Sequence, residues 1–165
     1  MKKIISFILI LALVLIMSAC TKQIESESLA NFYYCTNPIN YNSLTGVISA
    51  EVRDVSGYDH HLDLLNLYID GPTSAGYRSP FPDDVEVISM AREVSTVLVC
   101  MNSEFAKLTG HDLTLACACL SKTVIDFTGC TSVRISAQNE MLDANAYIEM
   151  ADKDFLFLDE YLPQS

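Results

Sequence analysis

Basic side chains are scarce. The 165-residue chain carries 10 Lys and Arg against 21 Asp and Glu, a formal net charge of −11. That balance disfavours nucleic acid as a partner, and electrostatic adhesion to anionic lipid with it. No C-x-x-C occurs, although there are 6 cysteines, so structural zinc and thioredoxin-like redox chemistry both lack their signature. Ser103 is not set in a G-x-S-x-G turn, and His111 has neither an assignable Asp nor a nucleophile to work with. Acids are numerous enough for some pair to lie close, but solvated surface carboxylates are the default and no glycosidase-like pair can be singled out. His60 and His61, flanked by Asp59 and Asp63, form the densest group of metal-capable side chains. A helix N-terminus with acids placed favourably for the dipole explains Asp59 and Asp63 without an ion. No catalytic residue, cofactor site or metal site is therefore assigned.

The first residues carry an address. Lys2 and Lys3 precede an apolar run from Ile4 to Met17, broken only by Ser6 and followed by Ser18-Ala19-Cys20. This is the pattern of a secretion signal. The segment from Ile4 to Ala19 would span roughly 24 Å as a helix, short of a hydrocarbon core of about 30 Å. Met17-Ser18-Ala19-Cys20 also resembles the bacterial lipobox, with Met17 where leucine is usual. The resemblance implies that Cys20 receives a diacylglyceryl group and becomes the mature N-terminus, held by two or three palmitate-class acyl chains, each buried methylene contributing about 0.8 kcal/mol. Removal of residues 1–19 takes Lys2 and Lys3 from the 10 basic side chains and leaves 8 against 21 acids, a net charge of −13.

The chain then reads as a signal peptide over 1–19, a lipidated cysteine and polar tether over 20–31, one domain over 32–140 and a C-terminal extension over 141–165 that packs on it. Phe32-Tyr33-Tyr34-Cys35 is a first strand ended by Asn37-Pro38. From Val47 to Val55, Ile48, Ala50 and Val52 point one way, and Ser49, Glu51 and Arg53 the other. Ser56 and Asp59 approximate a capping box for a helix from about His60 to Asp70, which Gly71-Pro72 stops. Val85 to Arg92 alternates as a third strand, and Glu93-Val94-Ser95 turns it into a fourth. That fourth strand, Thr96 to Met101, is an apolar β-branched run expected to be buried on both faces. Leu113, Ala116, Cys117, Leu120, Val124 and Phe127 fall at helical spacing, Gly129 ends that helix, and Val133 and Ile135 form a strand with one face in the core. The order β-β-α-β-β-α-β predicts an α+β fold, a small mixed β-sheet with two helices packed on one face. After it, Leu142 to Asn145 reads as a turn and Ala146 to Met150 as a short extended piece, with order expected through about Leu158.

Besides Cys20 there are five cysteines, Cys35, Cys100, Cys117, Cys119 and Cys130, so at least one is unpaired within the monomer. Cys117 and Cys119 lie about 200° apart around their helix and cannot bridge each other. Buried thiols acting as small hydrophobes account for most of them.

Several stretches, in order, resemble the GerMN domain of spore-germination and sporulation proteins. They are Leu64 to Pro72, then Pro80-Phe81-Pro82-Asp83-Asp84-Val85-Glu86-Val87, Val99 to Phe105, Thr123 to Phe127 and Val133-Arg134-Ile135. Glu104 and Phe105 keep the family pattern. Cys100 stands in place of its Asp, Asn102 in place of its Ser, Asp84 where Gly is common, and Ser136-Ala137-Gln138 in place of a glycine turn. The resemblance implies a lipid-anchored, non-enzymatic structural or interaction module on the extracytoplasmic face of a bacterial membrane, serving sporulation, germination or envelope assembly. Its expected partner is a protein in the same membrane, or further copies of itself. The alternative is a lipoprotein that binds a small molecule or cell-wall fragment.

Overall fold

A computed structural model describes residues 29–38, 46–142 and 144–154. Among the described residues there are two α-helices and seven strands in the order β-β-α-β-β-β-α-β-β, giving the α+β class read from the sequence. Cys20, the leader and the residues beyond Asp154 lie outside the described residues, and so does the end of the extension at Leu158.

The strands divide between two sheets where the sequence groups them in one. In the first, β1 (Leu29–Thr36) pairs antiparallel with β2 (Ile48–Asp54) and, through two residues only, with β3 (Tyr77–Arg78). In the second, β4 (Val87–Glu93), β5 (Thr96–Met101), β6 (Ser132–Ala137) and β7 (Ile148–Ala151) pair in that order. β5 and β6 run parallel and the outer pairs antiparallel. The parallel step needs a long crossover. It is supplied by a 3-10 turn at Phe105–Lys107 and by α2 (Gly110–Thr128), while α1 (His61–Ile69) links β2 to β3.

Helix α2 is the element on which both sheets converge. It touches β1 on one side and β6 and β7 on another, and α1 packs against it and against β4. Ten of its residues are buried, including Leu115 and Cys119 as well as the Leu113, Ala116, Cys117, Leu120, Val124 stripe. A helix apolar on one face alone could not serve two sheets. Gly129 ends it in the left-handed region at φ 64°, its N–H donating to Ile125 O, a conformation glycine adopts at no steric cost. Where β3 stops short, α2 and α1 also cap the open side of β1: Tyr33 N–H donates to Thr123 Oγ1 and the Tyr68 hydroxyl donates to Tyr33 O. Each buried backbone group needs such a partner.

An aromatic chain joins these layers. Tyr68 of α1 lies 4.9 Å from Tyr34, 5.7 Å from Phe32 and 5.4 Å from Phe81, which is 6.3 Å from Phe105. Tyr34 and Tyr68 are fully buried, and each hydroxyl donates to a main-chain carbonyl.

Two local expectations are corrected, and the inward face of β2, which the sequence left open, is established. β5 is buried on one face only: Val97, Val99 and Met101 join the core, whereas Leu98 and Cys100 are half-buried. The buried side chains of both helices join the same core cluster as Val97, Val99 and Met101, which places the helices on that face. The first helix starts at His61 with His60 as N-cap and no side-chain cap, and Ser56 instead donates its N–H to Asp54 Oδ1. In β2 the charged stripe turns inward: Glu51 is 7% exposed and Val52 is 59% exposed.

Ser121 is fully buried in α2, and its hydroxyl has no hydrogen-bond partner among the described residues. A desolvated, unpaired hydroxyl costs about 1–3 kcal/mol, and alanine is the better helix former. Ser121→Ala is expected to stabilise the protein by about 1 kcal/mol in urea unfolding.

Candidate functional site

The most polar buried group is the pair on β2. Arg53 Nε donates to Glu51 Oε2 at 2.7 Å, and each side chain is less than a tenth exposed. The guanidinium also donates to Gly71 O, to Leu67 O at 3.4 Å and to Tyr34 Oη at 3.2 Å, with its carbon 5.2 Å from the centre of the Phe32 ring. Leu67 and Gly71 lie at the C-terminal end of α1, where carbonyls lack helical partners and the helix dipole favours a cation. Glu51 faces the next loop. Its carboxylate accepts from Thr73 N–H at 3.1 Å, Thr73 Oγ1 at 2.9 Å and Ser74 N–H at 2.8 Å. Burial alone would push the Glu51 carboxyl up, but the bonds from Arg53, Thr73 and Ser74 outweigh it and hold it below the usual range. A buried, perturbed carboxylate is a place to look for catalysis. Here these polar atoms are committed to holding backbone.

The histidine-acid group does not converge. His61 packs on Phe127 at 5.4 Å, and among the described residues no three His, Cys, Asp or Glu side chains are placed to hold a metal ion. Glu104 pairs with Lys107 in an exposed contact, while Phe105 is fully buried. A cavity of about 130 Å³ beside β4 is lined by His61, Leu62, Met90, Ala91, Arg92, Val97 and Thr128, small against the 300–1,000 Å³ of ordinary ligand pockets.

Two departures from the family pattern meet. Asp84 adopts φ 64° at the position where glycine is common, a conformation that Asp tolerates better than most residues. Its carbonyl accepts from Asn102 Nδ2 at 2.7 Å, tying the approach to β4 to the end of β5.

The thiols are unequal. Cys35, Cys117, Cys119 and Cys130 are buried and Cys100 is half-buried. Burial pushes the Cys117 thiol up to about 12. Cys35 and Cys119 are in contact: the hydrogen bond from Cys119 lowers Cys35 against the opposing effect of burial, with Arg78 assisting, and raises Cys119. No spacing in the sequence signals this contact, because the two cysteines lie on elements far apart in the chain. The β2 pair was equally hidden, since alternation alone does not say which stripe faces inward.

Two of the exposed apolar side chains, Ile88 and Val94, lie at the two ends of β4. Among the described residues β4 is an edge strand, with a bulge between Val87 and Ser89 and with Ile88 43% exposed. At the tip of the β4–β5 hairpin Val94 is 93% exposed at φ 55°. Arg92 fixes the turn by donating to Val94 O at 3.1 Å and Thr128 O at 2.9 Å. A β-branched residue in the left-handed region is strained, and such strain gathers at functional positions.

Because the folded Glu51 carboxyl sits below its ordinary value of 4.5, its contribution to stability is complete above that value and is lost as pH falls through the lower folded value. Acid titration of the unfolding free energy should show this loss, and Glu51→Gln should remove that part of the pH dependence while lowering stability at neutral pH.

No protein-family model matches the chain, and no curated protein matches its sequence. Solved structures do. The first GerMN domain of the sporulation protein GerM from Bacillus subtilis superposes with a TM-score of 0.56 at 15% identity, over 76% of this chain and 98% of that domain. The tandem GerMN domains of the same protein give 0.57 at 14% identity, again over 76% of this chain, which spans about half (46%) of the pair. A candidate lipoprotein from Clostridium perfringens gives 0.45 at 14% identity, over 76% and 90% of the two chains, too distant to bear weight. At these identities the likeness is one of architecture, and the chain has the GerMN fold.

Proposed function

We propose that the chain is a non-catalytic interaction module, anchored through Cys20 to the outer leaflet of a bacterial cell membrane, and that it serves sporulation, germination or envelope assembly by docking a protein partner or another copy of itself. The fold carries this reading, since 98% of the GerM domain is matched and GerM is a sporulation protein. The interior supports it as well: the buried ionisable pair is engaged in holding a helix end and a loop, and the cavity of about 130 Å³ beside β4 is small for a substrate. The docking surface is the β4 edge and its Val94 tip. An edge strand offers unpaired N–H and C=O groups to an added strand, and a tethered domain meets partners at raised effective concentration, so a modest interface suffices.

A photoreactive residue in place of Val94, in cells carrying the full chain, should give discrete cross-linked species, whereas the same residue at Thr114, in the first turn of α2, should not. Cys20→Ser should remove the chain from the membrane fraction and weaken the Val94 cross-link. No Val94 cross-link, together with a saturable small ligand that raises the melting temperature, would replace this reading with that of a small-molecule or wall-fragment carrier.

A further inference from the structure

Cys35, near the end of β1, and Cys119, in the middle of α2, are both fully buried and share a small cluster with Leu115, walled by Val47 and Ile48. The packing of α2 on β1 brings them together: Tyr33 N–H, two residues before Cys35, donates to Thr123 Oγ1, one turn after Cys119. The other described cysteines are placed differently: Cys117 and Cys130 belong to the main core and Cys100 lies on the outer face of β5. Two cysteines from distant parts of the chain thus meet in one buried cluster of three residues, and a disulfide requires such neighbours.

We propose that Cys35 and Cys119 are a disulfide site that staples β1 to α2, closed by exchange with a small or protein disulfide oxidant. Both cysteines are fully buried once the domain is folded, so the exchange takes place as the domain folds, with Cys35 as the attacking group. Arg78, its ladder partner on β3, and the hydrogen bond from Cys119 both favour its thiolate, and the thiolate is the nucleophile in such exchange. It attacks one sulfur of the oxidant, and the other sulfur leaves and takes up a proton. Cys119 then loses its proton and attacks the Cys35 sulfur of the mixed disulfide, expelling the second oxidant sulfur as a thiol. Two protein thiols become one disulfide while the oxidant's disulfide becomes two thiols, so two electrons and two protons pass to the oxidant. The chemistry stands apart from the proposed function. An exported chain would meet such oxidants after translocation.

The full chain, unfolded under reducing conditions and refolded in a glutathione redox buffer, can be alkylated and mapped by peptide mass spectrometry. The expected result is one linked pair, Cys35 with Cys119, with Cys100, Cys117 and Cys130 alkylated. Because the bond closes a long loop, the oxidised form should melt more than about 5 °C above the reduced form. Cys35→Ser and Cys119→Ser should each abolish the linked pair, and Cys117→Ser should keep it. Should the serine variants fail to fold, the map of the unmodified chain decides. Alkylation of both residues in the folded protein, or a dominant pairing of either with another cysteine, would overturn the proposal.

Discussion

The inward salt bridge between Glu51 and Arg53 is the interaction on which the rest of the fold leans. One strand supplies both charges, and each reaches a different part of the crossover that follows. Arg53 holds the end of α1 through Leu67 and Gly71, and Glu51 holds Thr73 and Ser74 just beyond. The first sheet is thereby fastened to α1, whose Tyr68 passes the connection to Phe81 and, through it, to Phe105 ahead of α2. A buried pair of this kind is not stabilising in itself, because desolvation offsets most of the attraction. Its value is positional: the charges are costly anywhere except against these backbone groups, so they select one docking of helix and loop on the sheet.

The same interaction marks where reading the sequence stops. The β4–β5 hairpin, the crossover helix, the Gly129 terminus and the one-sided strand at Val133 and Ile135 were legible, because each depends on local spacing or on a single residue type. The face of β2 was not. Its alternation is clear, but the apolar stripe ends at an exposed Val52, and partners more than ten residues later make the polar stripe the inner one. The apolar run of β5 overstated its burial for a related reason: continuous hydrophobicity reports composition, whereas cover depends on where the helices settle. A two-residue strand at Tyr77–Arg78 lies below what periodicity can register.

Of the proposed site, the anchor rests on the sequence alone and the docking surface on the structure. Cys20 is the residue that the leader points to, and the histidine and acid group near α1 resolves into an aromatic contact with Phe127 rather than a ligand set. The exposed Ile88 and Val94 emerge only once β4 is seen as an edge and Val94 as a strained tip. The buried pairing of Glu51 with Arg53 and the apolar side chains exposed along β4 accord with the proposed role of a protein that works by being bound.

If the polar stripe of β2 serves architecture, Glu51 and Arg53 must act as a unit. A double-mutant cycle with Glu51→Gln and Arg53→Met, read by urea unfolding, measures this directly. Each single substitution should cost about 3–5 kcal/mol by leaving the other group buried without its partner, and the double variant should cost at least about 1.5 kcal/mol less than the sum of the singles. Additive single effects, or a stable Arg53→Met variant, would contradict the claim that this pair organises the fold.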